Sequence, residues 1–238
     1  MVNELFAIQI FPVFVTLMAF RAGVALQKKA KSPLCNPILV AVILILVFHF
    51  ISGMDLEVYK AGNGCISWLL TPATVSLAVG MYEQFQILRK HTAVLVTGVA
   101  AGAVSCLVMV LVLGLLFGFA PEITASLLPK SVTTAIGIPL AEMAGGMTPI
   151  ATAAIILTGI TASVLGPVLC KLFRLTDEVA QGAAFGTAGH VIGTSKAMER
   201  SELAGAVSSF SLVIAGLLTA VVLPLVIPFL WHTFSRRT

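Results

Sequence analysis

The sequence predicts an all-α membrane protein that crosses the bilayer several times. Of its 238 residues, 58% are hydrophobic and 10% are charged, and the mean hydropathy is +1.06. A soluble domain carries roughly 25% charged residues, because its whole surface must be hydrated. A chain with so few charges cannot cover a surface exposed to water. We therefore expect a multi-pass protein that contacts the lipid bilayer along most of its length.

Six stretches without Asp, Glu, Lys or Arg are candidates for spanning helices. One crossing needs about 20 apolar residues. The first stretch is short but can extend past Arg21 if that side chain reaches the interface, and the last three are long enough for tilted helices. We expect six or seven transmembrane helices, arranged as a scaffold of residues 1–120 and a transport domain of residues 121–238. The stretches are residues 5–20, 32–54, 61–82, 92–121, 143–170 and 203–235.

Basic residues predict the orientation, because Lys and Arg are enriched in short cytoplasmic loops. Three basic clusters fall in alternate connections, which places the N-terminus outside. The net charge of +4 is interpreted as this orientation signal and not as a nucleic-acid surface. The clusters are Arg21, Lys28, Lys29 and Lys31, then Arg89 and Lys90, then Lys171 and Arg174.

Two segments, residues 122–146 and 179–200, are too polar for lipid-facing helices and too apolar for aqueous loops. Non-helical backbone at membrane depth is tolerated where protein or a water-filled cavity surrounds it. We expect re-entrant hairpins or broken helices in both segments. If the second is a hairpin, Arg236 and Arg237 lie outside; if it crosses the membrane, they lie inside. The sequence leaves both alternatives open.

The two segments are interpreted as parts of an internal repeat, with units at residues 121–175 and 176–238. The alternative is that membrane segments rich in Gly, Ala and Thr resemble one another by composition alone. In this register Ser131 aligns with Thr187 and Thr134 aligns with His190. If each polar segment enters and leaves on one side, consecutive units are inverted, an arrangement in which secondary transporters hold substrate near the midplane. The matches are Ala135-Ile136-Gly137 with Val191-Ile192-Gly193 at an offset of 56 residues, and Gly159 and Pro167 with Gly216 and Pro224 at an offset of 57.

Lys130 is the sharpest candidate for a functional residue. A lysine at membrane depth costs on the order of 3 kcal/mol, so it normally faces a cavity or a partner. We expect Lys130, Ser131, Thr133 and Thr134 to bind an anion, helped by free N–H groups at the start of a short helix. The alternative is a lysine that extends to the outer interface.

The second segment is expected to complete the site through His190, Thr194 and Ser195. Because histidine titrates near neutral pH, His190 is also a candidate for proton coupling; the alternative is a structural histidine bonded to a backbone carbonyl. Glu142 is a second candidate, as a proton carrier or as the counter-charge of Lys130, and it can equally lie at the edge of the hairpin.

Other kinds of site are not expected. The chain lacks HExxH, GxSxG and CxxC motifs, so we predict no enzymatic activity, no metal site and no cofactor. The four cysteines lie far apart in apolar surroundings and are interpreted as small buried hydrophobes. They are Cys35, Cys65, Cys106 and Cys170.

The segments "LLPKSVTTAIGI" and "GTAGHVIGTSKAMER", with "NPILV" and "LLTPATVSLAVGMYEQ" nearer the N-terminus, resemble the LrgB/CidB family of bacterial membrane proteins. The plastidic glycolate/glycerate transporter of plants is a relative of this family. The resemblance covers nearly the whole chain and implies a multi-pass protein of the bacterial inner membrane. Two positions depart from the pattern, because Ala135 stands where the family has proline and Gly189 where it has serine.

The resemblance implies two competing functions. One is transport of small monocarboxylates such as glycolate, glycerate, pyruvate or lactate. The other is holin- or antiholin-like control of murein hydrolase activity and lysis, beside a small LrgA/CidA-type membrane partner. The repeat and its lysine and histidine favour transport, and we expect the protein to form homo-oligomers.

Overall fold

The computed structural model describes residues 2–30 and 35–234, and these residues contain no β-strand. The predicted all-α class is therefore confirmed. The helices, in chain order, are α1 (Val2–Ala30), α2 (Pro37–Ser52), α3 (Leu56–Gly62), α4 (Gly64–Trp68), α5 (Leu70–Glu83), α6 (Phe85–Phe117), α7 (Pro121–Leu127), α8 (Thr134–Met143), α9 (Thr148–Leu172), α10 (Glu178–Met198) and α11 (Glu202–Phe234).

Five segments of the described chain are long and apolar enough to cross a membrane, which confirms a polytopic membrane protein. The first runs past Arg21, as expected. Helix α2 is apolar but has only 16 residues. It begins late because the Asn36 side chain accepts hydrogen bonds from the N–H groups of Ile38 and Leu39, and it ends at Gly53, whose φ is 62°. The five segments are Ile10–Ala30, Gly64–Glu83, Phe85–Phe117, Thr148–Leu172 and Glu202–Thr233.

The chain divides into two compact units, Met1–Ser76 and Leu77–Thr238. In the first unit, α1 packs against α2 and α3, and the Thr16 hydroxyl lies 2.6 Å from Tyr59 Oη. The second unit contains α6 to α11 and both polar segments. The boundary between scaffold and transport domain at residue 120 concerns function and stays a prediction.

The first polar segment folds as a hairpin, with α7 and α8 as its arms and residues 128–133 as its turn; we call it hairpin 1. Near the end of α7, the Ser126 hydroxyl oxygen accepts a hydrogen bond at 2.6 Å from the N–H of Met147, which follows α8. A Cβ atom at Gly137, in α8, would lie 3.2 Å from the carbonyl oxygen of Pro129, in the turn. The chain therefore folds back on itself after α7. Pro129 favours the reversal, because its ring is incompatible with continuation of α7.

The second polar segment is also a hairpin, formed when α10 doubles back at His190 (φ 42°, ψ −137°); we call it hairpin 2. At its open end, Arg200 Nε donates a hydrogen bond to Gln181 Oε1 at 2.7 Å. In a straight helix, residues this far apart would be separated by about 28 Å. Near the turn, a Cβ atom at Gly193 would overlap the Phe185 carbonyl oxygen. Of the two alternatives left open by the sequence, the segment therefore adopts the re-entrant one.

The contacts of hairpin 2 show that α9 and α11 run in opposite directions. The first arm of hairpin 2 is the part of α10 before His190. Where this arm contacts α11, the residue numbers of both elements increase in the same direction, so the two are parallel. Where it contacts α9, the residue numbers increase in opposite directions, so the arm and α9 are antiparallel. Each hairpin with its following helix is thus inverted relative to the other, as the repeat predicts. The close pairs are Gly182–Ala204 and Gly186–Ser208 toward α11, and Phe185–Gly166 and Gly189–Ala162 toward α9.

The two repeat units also make equivalent contacts with each other. A Cβ atom at Gly216 would lie 2.8 Å from Ile136 Cδ1, and one at Gly159 would lie 2.9 Å from Ile192 Cδ1. Ile136 and Ile192 are repeat equivalents, as are Gly159 and Gly216. Each hairpin therefore packs an isoleucine onto the bare backbone of the other unit's helix. This reciprocity is expected of two units related by a pseudo-two-fold axis.

The contacts between α6 and α11 show that these two helices are parallel, so they begin on one side of the second unit and end on the other. One apolar cluster joins Leu95 to Val207 near the starts of these helices, and another joins Leu111 to Leu230 near their ends. At the end of α11, Trp231 Nε1 donates to the carbonyl oxygen of Ala144, at the open end of hairpin 1. We call the face on which α6 begins and α9 ends the basic side. It carries Arg89, Lys90, Lys171 and Arg174.

Helix α11 ends on the side opposite the basic side. Sequence analysis predicted this position if both polar segments are hairpins. The positive-inside tendency predicts that the basic side is cytoplasmic. Arg236 and Arg237 lie outside the described residues.

Candidate functional site

Lys130 lies in the turn of hairpin 1, against the middle of α6. Its Nζ atom is 3.3 Å from Cys106 Sγ and 3.4 Å from Ser131 Oγ, and these two acceptor atoms are themselves 3.1 Å apart. Both contacts of the ammonium are long for hydrogen bonds, and a thiol is a weak acceptor. The described residues place no carboxylate oxygen within 4.0 Å of Nζ. The charge of Lys130 is therefore only weakly compensated by the chain.

Lys130 and Ser131 lie at one end of a cavity of about 790 Å³. This volume falls within the range of roughly 300–1,000 Å³ that is usual for ligand sites. The cavity extends between α6, α9 and the first arm of hairpin 2 to Phe173 and Leu175, at the basic end of α9. Lys130 is the one charged side chain among its lining residues, most of which are Gly, Ala, Leu or Phe.

The ammonium group of Lys130 can make the cavity selective for anions, because most of the lining is apolar. An ion in an apolar environment loses hydration that weak neutral acceptors do not replace. A bound anion would restore the missing charge interaction and accept charge-assisted hydrogen bonds from the free N–H groups of Nζ. The arrangement can therefore attract an anion through one cation and place its remaining atoms against apolar walls.

The other candidates of hairpin 1 lie away from the cavity lining. Thr133 precedes α8 in an extended conformation and Thr134 is the first residue of that helix; both are half-buried. Glu142 lies at the far end of α8, where it is exposed and accepts a hydrogen bond from Thr148 Oγ1 at 2.8 Å. Helix α8 has ten residues and so spans about 15 Å, which separates Glu142 from the turn that holds Lys130.

The candidates of hairpin 2 hold its turn together. His190 Nε2 lies 2.9 Å from the Ile155 carbonyl oxygen. Thr194 is buried, donates to the His190 carbonyl oxygen and lies 2.8 Å from Ser208 Oγ. Ser195 is exposed and donates to the Val191 carbonyl oxygen. The geometry of His190 is the structural alternative considered from the sequence.

The seven predicted ligands are thus not gathered on one surface. Lys130 and Ser131 line the large cavity, whereas Thr133, Thr134, His190, Thr194 and Ser195 are not among its lining residues. A direct role of this second group in substrate binding stays a prediction.

Sequence analysis missed Cys106 and Thr187 as site residues. Cys106 was interpreted as a buried hydrophobe, and nothing near it in the sequence indicates its contact with Lys130. Thr187 had a signal, because the repeat aligns it with Ser131. Both repeat partners contact α6 one turn apart, Ser131 at Cys106 and Thr187 at Gly102, where a Cβ atom would lie 3.0 Å from Thr187 Cγ2.

Comparison with known proteins identifies the family of this chain. It matches the model of the LrgB-like family over residues 16–229. It is 33% identical to the antiholin-like protein LrgB of Bacillus mycoides (strain KBAB4) over 221 residues, which covers 92% of this chain and 96% of the relative. Proteins of the same name from Bacillus cereus (strain B4264) and Bacillus anthracis (strain CDC 684 / NRRL 3495) are 32% identical with the same coverage. No solved structure matches the chain. Given the extent of these matches and its apolar helices, the chain belongs to the LrgB-like family and is a multi-pass protein of the bacterial cell membrane.

Proposed function

We propose that the protein is a secondary transporter of small monocarboxylates of the glycolate, glycerate, pyruvate and lactate class. One observation carries this proposal: a lysine without a carboxylate partner in the described chain lies at the end of a large apolar cavity, in the turn of a re-entrant hairpin. Neither a spanning helix nor a packed core needs a cation in that place.

The charge of the cavity favours a substrate with one carboxylate. Lys130 supplies one positive charge, and the described residues that line the cavity include no second cation to balance a dicarboxylate. The hydroxyl groups of Ser131, Thr158, Thr161 and Thr187 also line it and can bond the hydroxyl or keto oxygen of a short acid. The volume exceeds that of a two- or three-carbon acid, so water enters with the substrate.

The inverted units favour transport over a static binding role. Two inverted repeats give a protein two related packings, in which the same site faces opposite sides of the membrane. Coupling to protons through His190 or Glu142 belongs to the same proposal. His190 is the better placed, because it lies at the turn of hairpin 2 and contacts α9 of the other unit.

The second candidate function is antiholin-like control of cell lysis with a small LrgA/CidA-type membrane partner. The names of the relatives, antiholin-like protein LrgB, favour it more directly than they favour transport. In this alternative the apolar surface binds the partner, and the cavity has no substrate. Self-association of the chain is a prediction common to both candidates, and neither requires catalysis.

Uptake by the purified protein in proteoliposomes tests the first candidate. Labelled pyruvate, lactate and glycolate are compared for the unmodified chain, Lys130→Ala and Lys171→Ala; the last removes an exposed lysine on the basic side. We expect saturable uptake that is lost in Lys130→Ala and kept in Lys171→Ala. Uptake that is equal in all three proteins would remove Lys130 from the site.

The second candidate predicts a different result from the same vesicles. Saturable uptake is absent, and vesicles that also contain the small partner leak an encapsulated dye at a rate that this chain changes. A leakage rate unaffected by the chain, together with saturable uptake, contradicts the antiholin-like role.

A further inference from the structure

We propose that a second access path, closed in this structure, leads to the Lys130–Ser131 site from the side opposite the basic side. This inference rests on the proposed transport function. The path runs between hairpin 1, α6 and α11. Its remnant is a void of about 10 Å³, which is room for about one water molecule.

The void is lined by the repeat equivalents of residues that line the large cavity. The equivalence uses the offset of 56 residues for the hairpins and of 57 for the following helices. Ser131 and Thr187 are equivalent to each other, and both line both spaces. The other matched pairs, with the large-cavity residue first, are Ala184 with Leu128, Ala188 with Val132, Thr158 with Ala215 and Ala162 with Thr219.

Inversion of the units gives the direction of the closed path. The large cavity reaches the basic side past Gly166, in α9, and Phe173, the residue that follows α9. The equivalents of these two residues are Leu223 and Leu230, which lie toward the opposite end of α11. Phe173 is 69% exposed, whereas Leu223 and Leu230 are 0% exposed and lie in one apolar cluster with Leu128. The same set of positions is therefore open on the basic side and packed shut on the other.

Exchange of the two packings would reverse this difference. The reciprocal contacts of Ile136 and Ile192 show that each hairpin already packs on the other repeat unit's helix at an equivalent position. Movement of hairpin 1 away from α11 would open the void, and movement of hairpin 2 against α9 would close the large cavity. Cys106 lies at the junction, since it lines both spaces. Lys130 would then meet either side in turn.

Thiol labelling from each side of the membrane tests the path. Ala162→Cys and Thr219→Cys, a pair of repeat equivalents, are placed separately in a full-length chain whose four native cysteines are replaced by serine. A membrane-impermeant thiol reagent is added to one side of the vesicles or to the other. We expect Ala162→Cys to react from the basic side and Thr219→Cys from the opposite side. If the alternative state holds about 1–10% of the molecules, labelling of Thr219→Cys is roughly 10- to 100-fold slower.

The proposal is overturned if Thr219→Cys reacts only from the basic side, or does not react until the protein is unfolded. The unmodified chain gives a second measurement that needs no substitution. Cys106 and Cys170 are followed by peptide mass spectrometry after labelling from each side. Cys106 is expected to react from both sides and Cys170, which lines only the large cavity, from the basic side alone. Labelling of Cys106 from one side only contradicts the second path.

These measurements separate the path from the proposed function, because labelling needs no substrate. Two-sided labelling without saturable carboxylate uptake keeps the path and rejects the monocarboxylate function. Saturable uptake with one-sided labelling keeps the function and rejects the path.

Discussion

Hairpins 1 and 2 have the same fold but different chemistry. The repeat equivalent of Lys130 is Gly186, and a Cβ atom at Gly186 would overlap the carbonyl oxygen of Ser208. Hairpin 2 therefore packs its backbone onto α11 at the position where hairpin 1 carries a cation beside a cavity. The equivalent of Thr134 is His190, whose ring contacts the Ile155 carbonyl oxygen in α9.

The cations of the two hairpins also differ in their partners. In hairpin 2, Lys196 pairs with Glu199 and Arg200 donates to Gln181. In hairpin 1, the groups of the described chain within hydrogen-bond distance of Lys130 Nζ are one thiol and one hydroxyl. A symmetric scaffold thus carries one asymmetric charge. Under the proposed function, hairpin 1 supplies the cation that binds the carboxylate, and hairpin 2 supplies part of the cavity wall.

The largest expected effect comes from adding one methyl group to hairpin 2 at the equivalent of Lys130. Gly186→Ala places a Cβ atom in the carbonyl group of Ser208, a backbone atom that cannot move without α11. We expect a loss of about 3 kcal/mol or more in the unfolding free energy, at the upper end for overpacked sites, and poor recovery of folded protein. Thermal unfolding in detergent measures it.

Gly98→Ala is the matched control, because no atom lies within 4 Å of a Cβ built at this helical position. Alanine is a better helix former than glycine by about 1 kcal/mol, so this variant is expected to match or exceed the parent. Equal melting temperatures for Gly186→Ala and Gly98→Ala would show that the two hairpins do not differ in packing as described.

Replacement of each hairpin's lysine by methionine sharpens the comparison of their charges. Lys130→Met removes a weakly compensated charge from apolar surroundings while keeping most of the side-chain volume. We expect the unfolding free energy to rise by about 1 kcal/mol, since apolar replacements of buried charges are often stabilising, while uptake is lost. Lys196→Met removes a paired, partly exposed charge and should change stability by less than about 1 kcal/mol. A less stable Lys130→Met would mean that the ammonium is a structural group.

The repeat was predictable because its signals are local. Ala135-Ile136-Gly137 and Val191-Ile192-Gly193 carry the close packing of the hairpins in consecutive residues, and the alignment of Ser131 with Thr187 marked two positions that line the same cavity. Lys130 stood out because a lysine within an apolar sequence requires a polar environment.

The rest depends on contacts between distant parts of the chain. Cys106 meets Lys130 through the packing of α6 on the turn of hairpin 1, which no spacing in the sequence indicates. The reversal of α10 occurs at His190, where φ is positive. Such a conformation is uncommon for a residue other than glycine, so the sequence did not show which residue of this segment reverses the chain. The predicted gathering of Thr194 and Ser195 with Lys130 overlooked that the turn of hairpin 2 uses their hydroxyl groups for its own hydrogen bonds.

A further difference in packing separates the two reciprocal glycine contacts. A Cβ atom at Gly159 would lie 2.7 Å from the His190 ring and 2.9 Å from Ile192 Cδ1, whereas one at Gly216 would meet only Ile136 Cδ1, at 2.8 Å. The end of an isoleucine side chain can rotate away, but the ring is held by its bond to Ile155. We expect Gly159→Ala to cost about 1–3 kcal/mol of unfolding free energy and Gly216→Ala less than about 1 kcal/mol. The reverse order in thermal unfolding would contradict the asymmetry assigned to the hairpin turns.

The smallest effect concerns backbone strain, which only one of the two turns stores. His190 has a φ of 42°, a conformation that costs a side-chain-bearing residue about 1–3 kcal/mol, whereas its equivalent Thr134 has ordinary helical backbone angles. His190→Ala and His190→Gly both lose the hydrogen bond to Ile155, so the difference between them isolates the strain. We expect the glycine variant to be more stable by about 1 kcal/mol, although glycine is normally the worse residue in a helix by a similar amount. At Thr134 the normal order should hold, with alanine more stable than glycine. Chemical denaturation of the four variants in one detergent measures both differences, and the same order at both positions would mean that the turn of hairpin 2 is not strained at His190. If the order reverses only at position 190, the surrounding packing holds His190 in a strained conformation in the turn that contacts α9.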